Sequence, residues 1–359
     1  MGMTTRRFSY QPSSQRIVFG AGARRDLGDE CRRLGAGRLL LVATAGELAR
    51  SRALLAAVAG RIAGEFTGVR EHVPVEVAAA AREVAAAVSA DGLLTVGGGS
   101  ATGTAKAVAL ETGLPIVAVP TTYAGSEVTP VWGLTEGGHK RTGRSSTVLP
   151  KTVIYDPELT TSLPAAVTAA SGMNAVAHCV EALALPGTDP VSALLAAEGV
   201  RVLAAGLPAV ADDGADLGGR AEVLYGAFLA GSAFAVAGSG VHHKMCHVLG
   251  GRFELPHAPT HAVLLPHVAA HLTGTAPAGL DRVRAALSPP STAGTAGSAA
   301  AGLYELAVRI GAPLALRDIG LAATDLDEAV AVVVEHVGLT EADAGAILRA
   351  AFGGERPEP

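Results

Sequence analysis

The stretch DGLLTVGGGSATGTAKAVALETG, residues 91–113, sets the fold class. It opens on a short apolar run (91–96), turns through Gly97, Gly98 and Gly99, and continues as an Ala-rich helical segment. Glycine lets a backbone fold tightly, and the first amides of a helix have no partner within it, so they are free to meet a phosphate. The pattern is not G-x-G-x-x-G. In a register starting at Gly98, Ser100 stands at the second glycine, whereas Gly103 fits the third. Read alone, the turn is either a phosphate cradle or a tight strand-to-helix connection without a ligand.

Apolar runs of strand length lie on both sides: QRIVF (15–19), RLLLVAT (38–44), LPIVAVP (114–120) and TVIYDP (152–157). Helix-like segments fall between them, RRDLGDECRRLG (24–35) and a run from about Arg52 to Ile62. Such alternation predicts a mainly parallel sheet covered on both faces. After residue 157 the strand signals stop. From Pro164 onward the chain reads as Ala/Leu-rich helices with breaks near 186–190, 212–218 and 251–259. A low-complexity segment, SPPSTAGTAGSAAAG (288–302), reads as an exposed loop between helices. The expected organisation is an α/β Rossmann-like domain over 1–157 and an all-α domain over 158–359.

The 359 residues are 49% hydrophobic and 17% charged, with a net charge of −5. No block of Lys and Arg occurs, so neither nucleic acid nor an anionic membrane is an expected partner. Three cysteines without CxxC spacing suit a reducing compartment, and MGMTTRRFSY lacks the apolar core of a secretory signal. A cytoplasmic protein is expected. Val223–Val241 carries no charge and approaches spanning length, but its glycines and serines make a buried core helix the better reading.

The chemistry-bearing residues cluster in three places. SGMNAVAHCVEAL (171–183) sets Asn174 and His178 four residues apart, on one helix face. GVHHKMCHVLGG (240–251) offers His242, His243 and His247, and LPHAPTH (255–261) adds His257 and His261, so five of the 11 histidines fall within 242–261. Imidazole binds metals, donates protons and holds developing oxyanions. The set looks like a metal site lacking its carboxylate. VPTTYAGSEVTP (119–130) places hydroxyls at the end of an apolar strand, where α/β proteins bind ligands, although a polar loop with a helix cap reads equally well.

Together, GGGSATGTAKAVAL, PTTYAGSEVTP, SGMNAVAHCVEAL and HHKMCHVLGG…LPHAPTHAVLLPH resemble the iron-containing (group III) alcohol dehydrogenase superfamily, most closely its maleylacetate reductase branch. HVPVEV (72–77), LPKTVIYDPELTTSLP (149–164) and APLALRDIGL (312–321) extend the likeness over nearly the whole chain. The resemblance implies a dehydroquinate synthase-like fold and an active site between its two domains. It places the pyrophosphate of NADH or NADPH on Gly97, Gly98, Gly99 and Ser100, with Thr121, Thr122 and Tyr123 lining the cofactor side. Metal-dependent members use one Asp and three His; here those positions are Asn174, His178, His243 and His257, and His247 matches another active-site histidine.

An amide oxygen is neutral and a weaker ligand for a divalent cation than a carboxylate. The resemblance therefore implies a metal-free reductase of maleylacetate or a related unsaturated oxo-acid, assembled as a homodimer. Hydride adds to the conjugated double bond, His178 and His243 hold the ketone oxygen as it gains charge, and His247 or His257 supplies a proton. Arg144 is a candidate for a substrate carboxylate, and equally a surface arginine on a hairpin. Two other activities stay open: a metal-dependent alcohol dehydrogenase or aldehyde reductase, and a cyclase or lyase on the same fold.

Overall fold

The computed structural model describes residues 7–137, 139–288 and 297–357. In the first half, β1 (Arg16–Phe19), α1 (Leu27–Leu34), β2 (Leu39–Val42), α2 (Ala45–Arg50), α3 (Arg52–Leu55) and β3 (Ile62–Phe66) come first. Then follow α4 (Val75–Ala87), β4 (Gly92–Gly97), α5 (Gly99–Thr112), β5 (Ile116–Pro120), the antiparallel pair β6 (Val131–Glu136) and β7 (His139–Arg144), and β8 (Thr152–Tyr155). Six strands form one parallel sheet in the order β1-β8-β5-β4-β2-β3.

The central strands are buried at every position because both faces of the sheet are covered. Leu39 and Leu41 pack with Leu27, Leu54 and Leu94 on one face, while Leu40 and Val42 pack with Val77, Ala81 and Val108 on the other. Strand order reverses between β2 and β4: β2 leads outward to β3, whereas β4 leads the opposite way to β5. Ligands of such sheets bind beyond the carboxyl ends of the strands at the reversal, and Gly97–Gly99 stand there.

The second half is helical: α6 (Ala165–Ala184), α7 (Pro190–Asp212), α8 (Leu217–Ala237), α9 (Val241–Arg252), α10 (His257–Leu272), α11 (Pro277–Leu287), α12 (Ala299–Arg309), α13 (Leu326–Val337) and α14 (Glu341–Gly353). It does not stand apart from the sheet. Ala118, Val153 and Tyr155 belong to the same buried cluster as residues of α6, α7, α8, α10, α11 and α12. By length and composition α7 alone is long and apolar enough to cross a membrane among the described residues, and half of its most apolar window is buried in the fold.

Three sequence expectations change. Ile62–Phe66 is an edge strand beside β2, and the predicted helical run closes as a 3-10 turn over Ala56–Arg61. The uncharged stretch 223–241 is not one helix: it breaks at Gly238–Gly240, and α8 and α9 meet at 99°. Of the expected loop 288–302, residues 289–296 lie outside the described residues; Ser298 caps α12, so Ala299–Gly302 are helical.

Candidate active site

On the sheet side, Gly98 is the residue that precedes α5 and supplies no side-chain cap, so the amides of the first turn stay available to an anion. Gly97 has φ 147°, a conformation L side chains rarely adopt. A Cβ at Gly98 would lie 2.8 Å from Thr122 Cγ2, so the turn and the loop after β5 are in contact. The Thr121 amide donates to the Gly97 carbonyl at 3.1 Å. Gly98, Gly99, Ser100 and Thr122 are partly exposed and Thr121 is buried, which leaves a polar shelf at the strand ends.

Lys106 fixes that shelf from beneath. It is fully buried in α5, and its Nζ donates to the carbonyls of Ser126 (2.6 Å), Thr129 (2.8 Å) and Val131 (2.8 Å) and to Thr129 Oγ1 (3.1 Å). Burial pushes its pKa down to about 7, with Glu127 pulling the other way. The loop that Lys106 holds also crosses α8. A Cβ at Gly125 (φ 69°) would come within 3.3 Å of the Ala227 carbonyl oxygen and 3.4 Å of His178 Nδ1. Thr122 thus touches the glycine turn while Gly125, three residues on, lies against the first histidine.

On the helical side, α6 buries Asn174, His178 and Glu181 at i, i+4 and i+7, one face of the helix. The His178 ring stacks on His243 from α9 (4.9 Å between centroids, 17°) and on Phe234 from α8 (4.7 Å, 29°). His261 lies 4.6 Å from His243 and 4.5 Å from His257, all on α9 and α10. His247 stacks on His257 at 5.9 Å. His242 Nε2 shares a proton with His261 Nδ1 at 2.9 Å. The structure therefore brings all four predicted histidines and Asn174 together.

Glu181 sets the orientation of His243. It pairs with His243 Nδ1 and accepts the His243 backbone N–H at 3.2 Å. Burial alone would raise this carboxyl, but His243 outweighs burial and brings its pKa down to about 2. With Nδ1 committed to Glu181, Nε2 is the free nitrogen. Buried Asn174 Oδ1, His178 Nδ1, His242 Nδ1, His243 Nε2 and His261 Nε2 have no hydrogen-bond partner. Buried polar atoms are rarely left bare, and five in one place mark a site that a ligand completes. Burial, joined by neighbouring histidines, holds His178 and His261 well below the ordinary imidazole range, and His242 at about 3. Burial and then Lys140 do the same to His247 and His257. These rings are neutral at neutral pH.

Three sequence readings need adjustment. Tyr123 does not line the cofactor side: it is fully buried in the helical core, its hydroxyl accepts from Arg220 Nη1 at 3.0 Å, and its amide donates to Ser171 Oγ. The loop turns after Thr122, and a ring this apolar follows the core. Arg144 is exposed on β7 and donates to the Ala235 carbonyl at the end of α8, beside Phe234. Glu181 was not singled out in the sequence, although its i+7 spacing from Asn174 was a usable signal. His72 and Lys140, which also face the histidines, come from distant segments and carry no such spacing.

The iron or zinc site of the metal-dependent family members does not fit these residues. The donor set is one neutral amide and three imidazoles with no carboxylate. Among the described residues, the one His/Cys/Asp/Glu group whose ligand atoms all lie within 4.8 Å of one another is His242, Cys246 and His261, not His178, His243 and His257. The dinucleotide does fit: an uncapped helix start, a positive-φ glycine and a polar shelf lie at the point where strand order reverses.

The iron-containing alcohol dehydrogenase family model matches residues 14–157, and the model for the C-terminal part of the Fe-containing alcohol dehydrogenase family matches residues 168–344. Maleylacetate reductase 2 of Cupriavidus pinatubonensis is 52% identical over 272 residues, 76% of this chain and 76% of that protein. The maleylacetate reductase of Burkholderia cepacia is 45% identical over 280 residues, 78% and 80% of the two chains. The crystal structure of maleylacetate reductase from Agrobacterium tumefaciens superposes with a TM-score of 0.90 at 41% identity, covering 98% of this chain and 100% of that one. Matched in both its sheet and its helices, the chain belongs to the iron-containing alcohol dehydrogenase family.

Proposed function

We propose that the protein is an NAD(P)H-dependent reductase of maleylacetate, or of a closely related unsaturated oxo-acid, that works without a metal ion. The observation that carries this reading is the pocket of buried imidazoles with unpartnered ring nitrogens beside the glycine turn, with Asn174 at the carboxylate position of the metal-dependent members. Similarity to maleylacetate reductases over most of the chain supports the substrate class.

The bound nicotinamide supplies hydride, and the start of α5 with Gly97, Gly98, Gly99, Ser100, Thr121 and Thr122 would hold its dinucleotide. The chain's own residues do the rest. In a 4-oxo-2-enoic acid the alkene is conjugated to the ketone, so a hydride at the alkene carbon sends charge to the ketone oxygen. His178 and His243 hold that oxygen with ring nitrogens fixed before the charge arrives, which costs no reorganisation at the moment of reaction. His243 Nε2 is the nitrogen from which a proton passes to the enolate, and the Glu181 carboxylate offsets the positive charge the ring carries while holding that proton. Burial of Asn174, His178 and His243 excludes water from the oxygen's position.

The test is NADH and NADPH oxidation with maleylacetate against a panel of aldehydes, using chelated protein of measured metal content. Turnover of maleylacetate that survives chelation is expected. Activity restored only by iron or zinc overturns the metal-free reading, and a preference for aldehydes overturns the substrate.

A further inference from the structure

A diacid brings two negative charges to a pocket in which burial keeps His178, His247, His257 and His261 neutral. Lys140, on β7, is the cation that answers them. Its register partner is Thr135 of β6, and its stem crosses Gly133, where a Cβ would come 3.2 Å from Lys140 Cε. A side chain at 133 would block that path. β7 packs on α9, the helix of His243 and His247. Among the described residues the Lys140 ammonium has no oxygen acceptor and no carboxylate partner, and its charge acts on His72, His247, His257 and Cys246.

His72 is held beside it by backbone strain. His72 (φ 59°) and Val73 (φ 47°) are consecutive non-glycine residues in the left-handed region. Thr135, opposite Lys140, keeps them there: its Oγ1 donates to the His72 carbonyl at 2.8 Å and its amide to the Val73 carbonyl at 3.1 Å. Val73 is seated on Gly103 of α5, whose Cβ would meet it at 2.9 Å. The His72 ring consequently lies against Gly250 of α9, with its edge toward His257 at 6.5 Å. Residues from the sheet half close over the His247–His257 end of the pocket.

We propose that the Lys140 ammonium, flanked by His72, His247 and His257, seats one carboxylate of the substrate, so that the hairpin recognises the acid while α6 and α9 hold its ketone. This rests on the acid substrate proposed above. A half-buried lysine with no anionic partner is costly to keep, and an anion that arrives with the substrate relieves the cost. Burial keeps the Lys140 pKa below the usual lysine range, as expected of a charge lacking its counterion. A carboxylate between an ammonium and three imidazoles also has neighbours able to donate to both of its oxygens.

Lys140→Gln and Lys140→Arg test the assignment, read as KM and kcat for maleylacetate and for an uncharged α,β-unsaturated ketone. Lys140→Gln is expected to raise KM for the acid on the order of 10–100-fold, the usual loss of a charged hydrogen bond. The uncharged ketone's KM and the NADH dissociation constant should stay within about twofold on the same reasoning, and Lys140→Arg should recover most of the loss. A second measurement needs no turnover: glutarate, added with NAD+, should raise the unfolding temperature of the unaltered protein and not that of Lys140→Gln. Equal KM losses for charged and uncharged substrates, or no loss, overturn the assignment. If maleylacetate is not reduced at all, the proposed substrate fails, and glutarate protection still decides Lys140; absence of protection in the unaltered protein overturns it.

Discussion

Lys106 and Lys140 are both lysines drawn out of water, and they end in opposite situations. Lys106 gives its ammonium to four oxygens of one loop. Lys140 has none among the described residues and lies against His72, His247 and His257. The same contrast separates two buried polar regions. Around Lys106, Glu127 accepts from Tyr155 and Arg220 reaches Tyr123, Thr168 and Gly214, so the groups are matched within the fold. Around His243, five polar atoms wait. The matched region stabilises the fold; the unmatched one is poised for a ligand.

Breaking the matched region should cost most. Lys106→Met removes the donor from three carbonyls and a hydroxyl; the Ser126 carbonyl keeps the Thr129 amide and hydroxyl, so at about 1–3 kcal/mol for each of the two carbonyls left bare, those of Thr129 and Val131, the loss is expected at roughly 2–6 kcal/mol in urea unfolding. A denaturation midpoint equal to that of the unaltered protein would dissolve the contrast.

His243→Ala removes a residue from the unmatched region, and its cost should appear in rate. A fall in kcat on the order of 10²–10³ is expected, the usual price of one oxyanion donor, with a smaller change in unfolding free energy. A normal kcat with a raised KM would move His243 from stabilising charge to holding the ground state.

Acid should find the histidines before the carboxylates. His242 and His267 have folded-state pKa values of about 3 and about 4, with burial the leading cause, below the ordinary 6.5. The unfolded chain therefore binds protons first as pH falls, so their contribution is intact above 6.5 and is lost toward 4 and 3. The slope is about 1.4 kcal/mol per pH unit for each such histidine. Glu181, lowered to about 2, acts only below the ordinary 4.5. Urea unfolding at pH 6.5 and 5.0 should show the early loss, and His267→Leu should flatten it by one histidine's share; an unchanged slope would remove His267 from the account.

The smallest effect is expected at Asn174. Its Oδ1 makes no hydrogen bond in the fold, so Asn174→Ala should change stability by no more than about 1 kcal/mol. A larger loss would mean that the amide is structural and belongs with the matched region.

What the sequence revealed was local. The glycine turn is legible because strand, turn and helix are contiguous, and Asn174/His178 and His243/His247 because helical spacing fixes their faces. β3 was missed because Gly64 and Glu65 interrupt its apolar pattern and an edge strand buries little. Tyr123 was misplaced because the direction of a loop side chain is decided by what packs beneath it, here Arg220 and Ser171. His72 and Lys140 were invisible for the same reason: their nearness to His257 is made by Thr135, Gly133 and Gly103, residues with no chemical signature.

The pairing of β1 has a consequence for how the chain is made. Among the described residues its one partner is β8, with Arg16 in register with Thr152, so everything between must leave the ribosome before the edge can close. At ordinary translation rates that wait is roughly 7–27 s. Once β8 has closed the edge, Val153, Tyr155 and Ala118 stay uncovered until α6 and α8 emerge. The nascent chain thus exposes first an unpaired strand and then an apolar sheet face, each a condition under which chaperones are recruited.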